Sequence, residues 1–307
     1  MRPAKGNHPT SSDGDTDGRD LDGTGGRDGS LSLDFGRLKD HVLAAIPYLA
    51  TVAHLRRGYA THADGGDVAQ WGSRRTVVRH VANYSAAAML AEQLCPGARH
   101  VLDVGCGTAA VAGWLAGQLS VPLHLHDRDA AVLAVADRAL RPASISTDLA
   151  AAPCADVVTA MEVIEHVERP AQAAFVRQVF SRVSDGGLLV LSTPDESRYP
   201  RGTSAYRPHV GTLTLPGLRE LLVAGTGRHP VVWRIEGGAF SPSVVRRYSE
   251  WTMNHVLPLD LTRKGLSRLP RSGPPDGRGG RALDRLCRIR VGTLTDDGTG
   301  LIALVLK

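Results

Sequence analysis

Nine residues, Val101-Leu-Asp-Val-Gly-Cys-Gly-Thr-Ala109, constrain this chain more than any other stretch. Val101, Leu102 and Val104 form an apolar run that suits a buried strand of a parallel sheet. Gly105 and Gly107 follow, and allow a tight turn in which the backbone can approach a ligand closely. A helical pattern, about Ala109 to Leu119, then leaves the turn with its first amides aimed at that ligand.

The residues after this turn alternate between strand and helix patterns, which predicts a parallel sheet with helices on both faces. The expected strands are 100–104, 122–126, 143–146, 156–161, 188–192, 231–235 and 301–306. Helices are expected at 130–140, 170–183 and 216–224, with a turn at Asp185-Gly-Gly187. A further helical pattern spans 241–260. The fold class is therefore α/β, Rossmann-like, with helices placed before the first strand.

Residues 1–30 hold seven Gly and six Asp and almost nothing apolar, so they read as a disordered tail. Apolar residues recur at helical spacing from Leu31, with Pro47 kinking or splitting the helix. A second helix runs from a Ser73 cap to about Leu94, with Val77, Val81, Tyr84, Ala88 and Leu94 on its buried side. Residues 31–97 are thus expected as a helical cap and 98–307 as the main domain, with a basic insertion at about 241–290. Within it, residues 261–290 carry nine Lys or Arg against Asp276 and Asp284, and Pro270, Pro274, Pro275 and the Gly residues make the middle a flexible loop. None of the four cysteines (Cys95, Cys106, Cys154, Cys287) has zinc-ligand spacing, and a reducing, cytoplasmic compartment fits. No apolar run approaches a membrane span, and no signal core opens the chain.

The Asp-x-Gly-x-Gly ending of the first strand resembles the first motif of class I methyltransferases that use S-adenosylmethionine (SAM), with Ala109 at the usual third glycine. That resemblance implies a seven-stranded, mostly parallel sheet. It assigns Asp103, Gly105 and Gly107 to the methionine moiety, Asp127 to the ribose hydroxyls and Asp148 to the adenine, with Arg128 packed nearby. Cys106, Leu149 and Met161 are further candidate cofactor contacts. Gly105-x-Gly107-x-x-Ala110 also fits a dinucleotide fingerprint, with Asp127 near the place of its ribose-binding acid. Asp103, Asp148 and the later Glu162-Val-Ile-Glu-His166 favour SAM over NAD. Asp127 could instead cap the helix that follows it.

Glu162, Glu165 and His166 stand at i, i+3 and i+4, so on a helical turn they could share a face. Two carboxylates and an imidazole suit Mg²⁺ or Mn²⁺. The Glu-x-x-Glu-His motif resembles the metal site of small-RNA ribose 2′-O-methyltransferases, which take another histidine from beyond strand five, where His209 lies. It is also similar to ubiquinone-biosynthesis O-methyltransferases. Without a metal, His166, Glu165 and His209 remain candidate catalytic residues or mere loop supports.

The resemblance covers about residues 98–235 and the last strand. It implies a SAM-dependent methyltransferase, with O-methylation of a small-molecule acceptor as the leading expectation. Methylation of an RNA ribose is the alternative, on the basic 261–290 segment. Few aromatic residues there could stack on bases, and His209 is followed by Val-Gly-Thr-Leu-Thr rather than an aromatic-rich run. A non-catalytic binding protein on the same fold is a third reading, which intact Asp103, Asp127 and Asp148 oppose. The sequence carries no expectation of oligomeric state.

Overall fold

The structure, a computed structural model, describes His41 and residues 74–198, 209–238, 288–292 and 300–307. The expectations for the tail, for the helices before residue 74 and for the 241–260 helix lie outside the described residues, as does most of the basic segment.

Helix α1 (Arg74–Leu94) precedes strand β1 (Val101–Val104). Then come α2 (Ala110–Leu119), β2 (Leu123–His126), α3 (Ala130–Leu140) and β3 (Ser144–Ser146). The chain continues through β4 (Ala155–Met161), α4 (Arg169–Ser181), β5 (Val183–Pro194), α5 (Leu215–Thr226) and β6 (Val231–Gly238). Strands β7 (Arg288–Gly292) and β8 (Gly300–Leu306) close it. The sheet order is β3-β2-β1-β4-β5-β8-β6-β7. The β1, β2, β3, β4 and β5 pairings are parallel, and β8 enters antiparallel between β5 and β6. All seven expected strands are present. β7 is an eighth, antiparallel to β6, at the end of the basic segment, where no strand was expected.

Register sorts the side chains between two faces. Leu102, Val158, Leu189 and Val305 align across four strands and pack with Val176 and Val179 of α4 and Leu218 and Leu222 of α5. The alternate residues, including Val101, Asp103, Val157, Thr159 and Leu188, lie on the opposite face, where α1 packs against α2, β4, β5 and β6. Burial on both faces explains the near-continuous apolar strands.

The first face is continued on β2 and β3 by polar residues. His124 aligns with Leu102 and Ser144, and His126 with Val104 and Ser146. The crossover from β3 to β4 carries no long helix there, only a three-residue turn at Leu149–Ala151. The polar groups bond one another instead. A His100 ring nitrogen lies 3.1 Å from His124, and His124 Nδ1 lies 2.8 Å from Ser144 Oγ. His126 Nδ1 donates to the Ser146 carbonyl at 3.0 Å.

The expected turn at Asp185-Gly-Gly187 is a bulge inside β5, because pairing jumps from Ala155–Val183 to Val157–Leu188. Gly186 takes the left-handed backbone there, at φ 77°. No described helix is long and apolar enough to cross a membrane.

Candidate functional site

Strand order reverses between β1 and β4, so a crevice opens beyond their carboxyl ends. The sequence-singled residues gather at this edge. Gly105, Gly107 and Ala109 all take positive φ (68°, 53° and 55°), and the chain turns sharply into α2. The amides of Gly105 and Cys106 both donate to the His126 carbonyl, at 2.8 and 3.0 Å, which stitches the turn to the end of β2. A Cβ at Gly107 would meet nothing within 4 Å, so the turn leaves open space on that side. A Cβ at Gly105 would meet the Val163 side chain at 2.5 Å. Bulk at Gly105 would therefore press on the turn after β4.

Asp127 accepts from the Gly107 amide and from the Asp129 amide, each at 2.9 Å. Asp129, not Asp127, caps α3, through the Ala131 amide at 2.8 Å. Asp127 is therefore fastened to the glycine turn. Asp148 accepts from the Ala150 amide at 2.9 Å and caps the turn at Leu149–Ala151. Arg128 is exposed, while Cys106, Leu149 and Met161 are buried.

Asp103 is fully buried. Tyr84 Oη of α1 lies 3.0 and 2.9 Å from its two oxygens, and Thr159 Oγ1 donates to Oδ1 at 2.6 Å. Burial pushes the carboxyl up to about 7, and the charge of Asp127 adds to the rise, while the Thr159 and Tyr84 hydroxyls oppose it.

Beyond β4 lies the second group. Glu162 sits at φ 57°, a strained conformation for a non-glycine residue, and its Oε1 accepts from Ser192 Oγ at 3.0 Å and from Asn83 Nδ2 at 3.4 Å. Ile164–His166 forms a single tight turn rather than a full helix. Glu165 is buried and accepts from Thr193 Oγ1 at 3.0 Å. The His166 and His209 rings meet edge to face, with centroids 4.9 Å apart. One potential ligand atom each from Glu165, His166 and His209 falls within 4.8 Å of the others.

Glu162 is not in that group, so three of the four expected metal ligands converge. The positive φ at Glu162 breaks the helical spacing on which a shared face was expected. What remains is one carboxylate and two imidazoles, a donor set that moves preference from Mg²⁺ towards Mn²⁺, Fe²⁺, Co²⁺ or Zn²⁺.

A family profile described as a methyltransferase domain matches residues 75–229, just over half of the chain. The chain belongs to this methyltransferase family. The match begins inside α1 and ends just before β6. Among solved structures, the plantazolicin methyltransferase BpumL bound to S-adenosylhomocysteine (SAH) is 15% identical, with a TM-score of 0.51 over 87% of this chain and 98% of that one. The plantazolicin methyltransferase BamL, bound to SAH and a triazolic desmethyl analogue, is 14% identical, with a TM-score of 0.51 over 88% and 99%. At these identities the likeness shows the fold. DesVI of Streptomyces venezuelae is 19% identical, and this chain spans only 52% of its length (39% of this chain, TM-score 0.34). No curated protein sequence matches the chain. The chain thus carries a methyltransferase domain on the fold of these SAH-bound enzymes.

Sequence reading placed Tyr84 on the buried side of α1 but missed its bond to Asp103, and it missed Asn83 and the Ser192-Thr193 pair beside the candidate site. Asn83, Tyr84 and Ser85 interrupt the otherwise apolar, alanine-rich stretch 81–91 of α1, and all three are buried. That interruption is the signal. The Ser192-Thr193 pair at the end of β5 gave a weaker one, since such residues also occur where a strand simply stops.

Proposed function

We propose that this methyltransferase moves the SAM methyl group to a hydroxyl oxygen of a small-molecule acceptor. The observation that supports it is the convergence of Glu165, His166 and His209 beyond the ends of β4 and β5, beside the glycine turn. In this reading Asp103, Gly105, Cys106 and Gly107 receive the methionine end. Asp127 receives the ribose, and Asp148, Arg128 and Leu149 receive the adenine, with Met161 at the floor of the crevice. The oxygen–methyl bond forms as the sulfur–methyl bond breaks, and sulfur keeps the electron pair. SAM brings its own leaving group, so the protein aligns the three atoms and removes the hydroxyl proton. His166 takes that proton, and the buried Glu165 beside it favours the resulting cation.

A second reading is favoured by the three ligand atoms within 4.8 Å: Glu165, His166 and His209 hold a divalent cation. Such a cation would lower the pKa of an acceptor hydroxyl. We also propose that the enzyme works in the cytoplasm, as free thiols at Cys95, Cys106 and Cys154 suit a reducing compartment. Residues 1–30 are proposed to be a dispensable tail.

The test is SAH release from SAM with a panel of catechols, simple phenols, hydroxyquinones, primary amines and a single-stranded RNA oligonucleotide. Turnover with hydroxyl compounds supports the reading. Turnover with amines alone, or with RNA blocked at its terminal 2′-hydroxyl, would overturn it.

A further inference from the structure

The candidate catalytic group comes from two chain segments that lie far apart in sequence. Glu165 and His166 stand on the turn after β4, and His209 stands 43 residues later, ahead of α5. Something must hold the second segment against the first. The backbone supplies part of the answer, since the Gly211 amide donates to the Glu165 carbonyl at 2.9 Å. Gln172, on the first turns of α4, supplies the rest. Its side-chain nitrogen donates to the Ile164 carbonyl at 2.9 Å and to the Gly211 carbonyl at 2.5 Å. Ile164 directly precedes Glu165, and Gly211 stands two residues after His209.

We propose that Gln172 is the positioning residue that sets His209 against Glu165 and His166. The proposal rests on the reading of these three residues as the acceptor-activating group. Its chemistry is specific. Both partners are carbonyl oxygens, so a donor must face them, and one neutral amide NH₂ carries the two hydrogens needed without a charge. Lysine would bury a charge at this site, and glutamate would set a carboxylate against two carbonyls. Gln172 is 3% exposed, so water does not compete for either bond. Gly211 completes the device, because a Cβ there would overlap the Val167 carbonyl and the Gln172 amide. Arg169 fixes the next residue of the segment, donating to the Thr212 carbonyl at 3.1 Å. The His209 segment is thus docked through backbone atoms, and its ring is carried along.

The experiment measures ring proximity directly. Protein labelled at histidine gives nuclear Overhauser contacts between ring protons, assigned from His166→Ala and His209→Ala. The wild type should show a His166–His209 contact. Gln172→Met keeps side-chain length without donors, so it should lose the contact while circular dichroism and SAH affinity stay unchanged. Gln172→Asn keeps an amide but is one methylene short, and it should weaken the contact in the same way if the methionine variant does not fold. A full ring contact in folded Gln172→Met or Gln172→Asn overturns the proposal. Unfolding of both variants overturns it too, by assigning the amide to the fold and not to the site. The underlying reading fails separately, if His209→Ala transfers methyl groups at the wild-type rate whatever the ring contact shows.

Discussion

Tyr84 Oη sits 3.0 and 2.9 Å from the two carboxylate oxygens of Asp103, and so ties α1 to the end of β1. The neighbouring residue repeats the pattern, as Asn83 donates to Ser192 Oγ at the end of β5 at 2.8 Å. Two adjacent helix residues therefore anchor α1 to two strands beside the glycine turn. Helix α1 is thereby joined to the strand ends that carry the candidate site, and the family match starts within it.

Removing the Tyr84 hydroxyl should weaken the apo protein. A hydrogen bond to a buried charged group contributes about 1.5–3 kcal/mol. Tyr84→Phe is expected to lose roughly that much at pH 8 by urea unfolding. The loss should be smaller at pH 5, where folded Asp103 is protonated. An equal loss at both pH values would show that the hydroxyl does not act through the Asp103 charge.

Asp103 itself costs stability. Its folded carboxyl is pushed up to about 7 from 3.8. Below the lower value the group is protonated in both states. Between the two values only the unfolded chain loses the proton, so stability falls as pH rises through this interval. Asp103→Asn should therefore melt higher than wild type at pH 8, by up to about 4 kcal/mol at one pKa unit per 1.36 kcal/mol. The gain should vanish near pH 4, and SAM affinity should fall. A variant less stable than wild type at pH 8 would contradict this account.

His124 and His126 act in the opposite direction. Burial lowers both pKa values from 6.5, with the His100 charge adding to the effect at His124, whereas hydrogen bonding to Ser146 and the Asp127 and Asp148 charges oppose it at His126. The unfolded chain protonates first as pH falls below 6.5, so their contribution is full above that value and is lost below it. His124→Gln and His126→Gln should each flatten the acid limb of stability below pH 6.5. Urea midpoints of variant and wild type, compared at each pH, separate this from Asp103. Parallel midpoint curves would exclude it.

The glycine turn and the alternating strands were legible because both faces of the sheet are buried, which leaves a periodic apolar record. Strand β7 was not legible, since Arg288 and Arg290 read as charge rather than as an edge strand. The same limit applies at the site. Asp103 lies in β1, Asp127 and Asp148 lie just past β2 and β3, and all three were visible by position. Gln172 and Tyr84 lie on helices, and their roles depend on partners fixed only by the fold. Glu162 falls outside the converging group because helical spacing does not carry across a residue that takes positive φ.

The two loop glycines should separate stability from binding. Gly107→Ala meets no atom within 4 Å, so it should cost only the left-handed backbone, about 1 kcal/mol. Its methyl group would stand in the proposed methionine space, so SAH affinity should fall at least about tenfold, or about 1.4 kcal/mol. Gly105→Ala meets Val163 and should lose more stability, partly restored by Val163→Ala. Calorimetric titration with SAH, beside thermal melts, checks both. Unchanged SAH affinity in Gly107→Ala would move the methionine path elsewhere.

Chelation divides the two readings of the acceptor group. With a cation on Glu165, His166 and His209, exhaustive chelation should abolish turnover of the accepted panel substrate and leave SAH affinity unchanged, because the cofactor residues lie around the glycine turn. Mn²⁺ should restore turnover better than Mg²⁺, since two of the three donors are imidazoles. His209→Ala should mimic chelation. Glu165→Gln should weaken Mn²⁺ binding, measured by calorimetry without SAM. Glu162→Gln should not, because that carboxylate engages Ser192 and Asn83 and stands outside the converging group. Full turnover in excess chelator would rule the cation out. The proton would then have to leave on an imidazole alone, and His166→Ala should become the most damaging substitution, with part of its rate restored at high pH, where the acceptor hydroxyl ionises without a base.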